Sequence, residues 1–139
     1  PVIYVAGNEE EVLGQRALEG EHPIHLYKIR ATPQQAQDMF VAMLDRANKL
    51  AESPEFYNTF TNNCTTNIVA RFNEIAPVYI SPYDLRIVLP GYSGQVAYEQ
   101  GLLGTEKSFA EIHRRAEISD EARAAAATGI FSQMVRQNQ

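Results

Sequence analysis

Two hydrophobic periods alternate along this chain, and the places where one gives way to the other mark its elements. The apolar run Val2 to Ala6 predicts a strand, ended by Gly7-Asn8. Glu9 to Leu18 predicts a short helix, with Asn8 placed to cap it, Glu9, Glu10 and Glu11 suited to its first turn, and Gly20 closing it. Ile24 to Ile29 alternates and predicts a second strand. The next helix carries the strongest signals. Thr32 caps it, Pro33 takes the first helical position and Gln35 completes a capping box. Its apolar residues Ala36, Phe40, Met43, Ala47 and Leu50 recur at helical spacing, and Ser53-Pro54 ends it.

A loop rich in Tyr, Asn and Thr follows, and then a helix is predicted from Cys64 to Phe72. Pro77, Pro82 and Pro90 break up a stretch that holds a predicted strand at Leu85 to Leu89. Gly91-Tyr92-Ser93-Gly94 reads as a turn, and Val96 to Gln100 as a helix stopped by Gly101. Ser108 with Glu111 forms a capping box before a short helix reaching Ala116. Ser119, with Asp120 and Glu121, starts a final alanine-rich helix. Strands and helices mix without regular alternation, so the fold class expected is α+β.

Composition narrows the function more than the fold. A chain of 139 residues fits one domain, 1–139, with one core. Its net charge of −5 argues against nucleic acid as a partner. The nearest basic cluster, Arg114-Arg115 with Arg123, is interleaved with acidic residues and reads as solvated helix charge. No apolar run is long enough to span a bilayer, and no signal-peptide pattern opens the chain. The chain begins at Pro1, directly inside a predicted strand, so it is expected to be a fragment lacking an N-terminal part. Membrane association is expected only through parts of the chain beyond this one. The single cysteine excludes an internal disulfide and a multi-cysteine metal site. His22-Pro23-Ile24-His25 has no third ligand at a recognisable spacing, so no metal and no cofactor are expected. Gly91-Tyr92-Ser93-Gly94 is one residue too short between its glycines for a nucleophile elbow.

The candidate chemistry lies at Cys64. Asn62 or Asn63 is suited to cap the helix, which puts Cys64 in its first turn. Free N–H groups and the helix dipole there stabilise a thiolate and can hold an oxyanion. Cys64, Ile68 and Phe72 share one face, which the helix is expected to bury, leaving the sulfur where core meets cleft. The competing reading is inert packing, the usual fate of a free cysteine.

The stretch Phe56-Tyr57-Asn58-Thr59-Phe60-Thr61-Asn62-Asn63-Cys64-Thr65-Thr66-Asn67 resembles the Tyr-Asn-x4-Asn-Cys-Thr-Thr signature of the Lnb N-terminal periplasmic domain family. That family groups with the permuted NlpC/P60, papain-like cysteine enzymes. Tyr4-Val5, Glu10 and Arg16 are similar to its segment before the long helix. Leu89-Pro90-Gly91-Tyr92 and Ala97-Tyr98-Glu99-Gln100-Gly101 are similar to its segment after the cysteine. The resemblance implies a single papain-like domain, with the cysteine helix packed on a small antiparallel sheet. It implies a periplasm or cell-envelope location and a Cys–His acyl-transfer site. The best-described relatives are lipoprotein N-terminal transacylases, which move an acyl chain from the glycerol of a lipid-modified cysteine to its α-amino group.

On this resemblance the expected function is acyl transfer or amide hydrolysis through a Cys64 thioester, with a lipoprotein or peptidoglycan as substrate. Asn58, six residues before Cys64, sits where papain-like enzymes often place an oxyanion-hole amide; it reads equally well as a loop-shaping residue. Asn63 is then the helix cap. The expected catalytic set is Cys64, Asn58 and Asn63. The chemistry also needs a base, normally histidine. His22 precedes a proline in a loop, and His113 lies beside Arg114 and Arg115. His25 is the best placed of the three, upstream of the cysteine, although it reads also as a core residue sharing a strand face with Tyr27 and Ile29. The family's own catalytic histidine is expected further upstream, before Pro1. The rival expectations are a peptidoglycan-directed cysteine endopeptidase or amidase, and a non-catalytic interaction module without a base.

Overall fold

The computed structural model describes residues 1–20, 22–104 and 106–137, and of Pro90 the backbone alone. The described residues are helical and contain no β-strand. This overturns the α+β expectation and with it the papain-like arrangement of a cysteine helix on an antiparallel sheet. Each predicted strand fails for a physical reason. A strand must give its N–H and C=O groups to a neighbour, and Val2–Ala6 finds none along its length: Val2 N–H donates to the Glu55 carbonyl at 2.8 Å, while the Ile3 and Val5 side chains are exposed. Ile24–Ile29 forms only a one-residue bridge, His25 with Glu117. Its partner is the short connection between two helices, so the ladder cannot extend. Leu85–Leu89 winds into a helical turn instead, because Asp84 accepts the Arg86 N–H at 2.9 Å and caps it.

The chain divides into two compact units, Pro1–Tyr4 with Ile29–Leu103, and Val5–Lys28 with Gly104–Gln139. In the first, α2 (Pro33–Glu52) packs on α3 (Cys64–Ile75), and α3 packs on α4 (Leu85–Val88), which meets α5 (Ser93–Glu99) through a 3-10 turn, Pro90–Tyr92. Val69, Ile80, Ile87 and Val96 form its core, with Phe72 and Leu102 against them. The Asn73 amide accepts from Ile80 N–H and donates to the Ile80 carbonyl, which ties the irregular stretch after α3 back onto that helix. Thr32, Pro33 and Gln35 start α2 as predicted, with both arms of the capping box made. Its predicted face is covered in the later half, at Met43, Ala47 and Leu50, and open in the earlier half. Leu50 is buried, but Phe40 is 64 % exposed, and Val41 and Leu44 face solvent with it.

In the second unit a π-helical turn (Glu10–Gly14) runs into α1 (Gln15–Glu19), and Gly20 closes it in the left-handed conformation at φ 69°. α6 (Phe109–Ala116), α7 (Ser119–Ala125) and α8 (Phe131–Met134) complete it. Ala17, Ile118, Ala122, Ala125, Phe131 and Val135 are its core. The alanine-rich helix stops after seven residues, and the chain turns at Gly129, φ 73°, before α8. Ser119 caps no helix; its hydroxyl accepts the Ile24 N–H at 3.0 Å. No helix among the described residues is long and apolar enough to cross a membrane.

Candidate functional site

Cys64 is the first residue of α3, and the local sequence is the reason. Asn63 adopts an extended backbone and its side-chain oxygen accepts the Thr66 N–H at 2.7 Å. Thr66 answers, its hydroxyl accepting the Asn63 N–H at 2.8 Å, so the box is reciprocal. The Asn63 amide nitrogen donates to the Thr59 carbonyl at 2.7 Å and anchors the preceding loop to the cap. Asn63 itself is buried. The sulfur is exposed, with the Thr65 hydroxyl 3.8 Å away. The expected burial of the Cys64–Ile68–Phe72 face holds only at Phe72, which packs against the core: Cys64 and Ile68 are exposed, Ile68 at 48 %, and α3 buries Thr65, Thr66, Asn67 and Val69.

Behind the cap lies a closed ring of side-chain hydrogen bonds that joins α2, α3 and the loop between them. Arg46 Nε donates to Asn67 Oδ1 at 3.0 Å, and Asn67 Nδ2 donates to Asn62 Oδ1 at 2.8 Å. Asn62 Nδ2 donates to Glu55 Oε2 at 2.9 Å, and Glu55 closes the ring by pairing both oxygens with the Arg46 guanidinium at 2.6 and 2.7 Å. The Arg46 guanidinium holds the Glu55 carboxyl below its usual range, assisted by Asn62. Tyr4 lies within reach of the same charge: burial raises its phenol, and the Arg46 and Arg71 charges offset part of that. Asn67 also donates to the Asn63 carbonyl at 2.8 Å, so ring and cap share a residue. Sequence reading did not identify Arg46, Glu55, Asn62 or Asn67 as a group. One signal was present: Arg46 interrupts the helical series Met39, Met43 and Leu50 on α2, where a charge needs a partner.

Asn58 is exposed, and its side-chain oxygen accepts the Phe60 and Thr61 N–H groups at 2.9 and 3.0 Å. Its backbone pairs with Asn62 in an isolated bridge, which closes a five-residue turn. The exposed side chains along this stretch include apolar ones, Ile68 one turn along α3 and Phe56, Tyr57 and Phe60 in the preceding loop, together with Asn58, Thr59 and Thr61.

The first unit contains no histidine; His22, His25 and His113 all belong to the second. There the His25 and His113 rings stack, centroids 4.1 Å apart, and Tyr27 Oη lies 2.5 Å from His113 Nδ1. Burial, with the His113 charge in second place, lowers the His25 pKa below its ordinary value. Among the described residues no three His, Cys, Asp or Glu side chains converge on a metal position.

The model of the Lnb N-terminal periplasmic domain family matches residues 1–91. The matched span includes Asn58, Asn63, Cys64, Arg46 and His25 and stops short of α5. No curated protein and no solved structure matches the chain.

Proposed function

The chain belongs to the Lnb N-terminal periplasmic domain family and so to the periplasm or cell envelope, and from that premise we propose that Cys64 is the nucleophile of an acyl transfer or amide hydrolysis. One observation carries the reading: an exposed sulfur stands on the first residue of a helix whose cap is held by a buried asparagine. In the proposed reaction the Cys64 thiolate attacks an acyl carbonyl. The oxyanion of the tetrahedral intermediate is met by N–H groups at the start of α3. The donor oxygen or nitrogen leaves with a proton, and Cys64 keeps the acyl group as a thioester. An amine or water then attacks the thioester and returns the thiol. Asn58 is proposed to help hold the oxyanion through its amide nitrogen. The apolar side chains exposed on the segments that flank Cys64, Ile68 on α3 and Phe60 in the preceding loop, favour a lipid acyl group over a peptidoglycan peptide.

A second reading has its own support. Thiolate chemistry of this kind calls for a base, normally imidazole, and the first unit supplies none. Under the catalytic reading the base comes from outside that unit. Under the second reading the chain is an interaction module that has the cysteine turn without the catalysis.

Intact-mass analysis after incubation with an activated fatty-acyl ester separates the two. Catalysis predicts one acyl adduct, absent from Cys64→Ser and released by an added amine. A small electrophile serves as the control for access. If it labels Cys64 fully while the ester, and a peptide substrate, leave the sulfur unmodified in the longest natural form of the chain, the catalytic reading fails.

A further inference from the structure

We propose that the stacked rings of His25 and His113, together with Tyr27, form an acid-sensitive latch between the two halves of the second unit. The unit is assembled from stretches far apart in sequence, Val5–Lys28 and Gly104–Gln139. Backbone and hydroxyl groups connect them at this point. Leu26 N–H donates to the Ala116 carbonyl at 2.7 Å, Ile118 N–H to the Ile24 carbonyl at 2.9 Å, and Ile24 N–H to the Ser119 hydroxyl. His25 is the centre of that bridge, and its ring extends the contact onto α6. The rings of His25 and His113 are 11° from parallel, Tyr27 lies beside the pair with its centroid 6.0 Å from His25 and 6.2 Å from His113, and Phe109 tilts against His113 at 5.4 Å.

This arrangement suits neutral rings. When His113 Nδ1 is bare, it accepts the Tyr27 hydroxyl proton across 2.5 Å. Protonation turns Nδ1 into a donor, and that hydrogen bond survives only if the phenol turns round to accept. A second proton, on His25, sets two like charges face to face at a 4.1 Å centroid separation. The charged groups around the pair do not cancel this. Glu117, across the bridge, favours a charged His25, but less than burial and His113 oppose it. On α6, Arg114 and Arg115 are exposed, and Glu111 on the same helix is engaged by Arg115 at 2.8 Å. Lys28, next to Tyr27, is exposed and of the same sign as the incoming protons. Ser119, which α7 sets against Ile24, carries no charge to offset them.

The direction of the pH effect follows from linkage. His25 binds its proton less readily folded than unfolded. Its contribution to stability is complete above the ordinary histidine value of 6.5 and is lost as the pH falls through its folded value. Side-chain carboxylates of ordinary pKa stay charged over most of this range, so a window from pH 7.5 to 5.5 isolates the histidines.

The test is an NMR titration of the imidazole signals of the 139-residue chain, with urea unfolding of the wild type and His25→Phe across the same window. The pair is expected to titrate in two steps at least about one pH unit apart. Acidification is expected to raise the wild-type unfolding constant of the second unit by up to about tenfold for each pH unit by which His25 titrates below its unfolded value. His25→Phe keeps a flat ring to stack on His113 but takes up no proton, and its unfolding constant should change by less than about threefold. Two histidines that titrate together in one step overturn the proposal. So does a His25→Phe chain that keeps the wild-type slope. If the variant does not fold, the wild-type titration decides alone.

Discussion

The start of α3 and the junction at His25 solve the same problem, joining segments that lie far apart along the chain through polar side chains, by opposite means. At α3 the connection is a closed circuit. Arg46, Asn67, Asn62 and Glu55 each donate to or accept from the next, and the cap of Asn63 and Thr66 shares Asn67 with it. Donors and acceptors are matched and one full charge meets another, so the arrangement changes little between neutral and mildly acidic pH. At His25 the connection is a pair of rings whose attraction depends on their lacking charge. A hydrogen-bond circuit fixes a position, here that of the start of α3. A stack of titratable rings holds only within a pH range. The first unit thus presents the apparatus of a fixed site and the second that of a conditional contact.

Several substitutions test that contrast. The largest effect is expected from Ile87→Ala, which opens a cavity beside Val69 and Val96 in the core beneath α3 and costs about 3 kcal/mol. Amide exchange should accelerate through α3 and α4 and stay unchanged in α7 if the two cores are energetically separate. Asn63→Ala removes the cap and the tie to Thr59 together, for a loss of roughly 2 kcal/mol by urea unfolding. It should also scatter the rate at which Cys64 takes up an acyl ester, whereas Asn63→Asp, which keeps the capping oxygen, should keep more of both.

Arg46→Met retains an apolar stem but opens the circuit, at a cost of about 1 kcal/mol, equal at pH 7.5 and 5.5. Tyr27→Phe should cost about the same at pH 7.5, and less once acid has loosened the ring pair. Parallel losses in these two variants would erase the distinction drawn between the regions. The smallest effect is expected at Glu9, whose carboxyl Arg136 and Ser132 hold down at about 2 from its ordinary 4.5. A depressed carboxyl contributes stability above its unfolded value and loses it as the pH falls towards about 2. Because the pair is partly exposed, Glu9→Gln should cost well under 1 kcal/mol at pH 7, and nothing at pH 2.

What could be learned without the structure was whatever acts within one turn of chain. Thr32-Pro33-Gln34-Gln35 is a capping box wherever it occurs, because its donors and acceptors lie three residues apart. Asn63 and Thr66 close in the same way, so the position of Cys64 at the first residue of its helix was readable, and the surrounding motif led to the family. Gly20 and Gly101, at positive φ, end their helices for an equally local reason. Tertiary structure decided everything that needs a second segment. Val2–Ala6 has a strand's residues and no strand beside it, and Ile24–Ile29 met a connection too short to pair with beyond one residue. The exposure of Phe40 and Ile68 depended on which side of α2 and α3 met a neighbour. The ring through Arg46 and the stack at His25 unite residues 21 and 88 positions apart, between Arg46 and Asn67 and between His25 and His113. A cap is an interaction a chain makes with itself locally, whereas a sheet, a buried face or a charge circuit exists only once distant residues have been brought together.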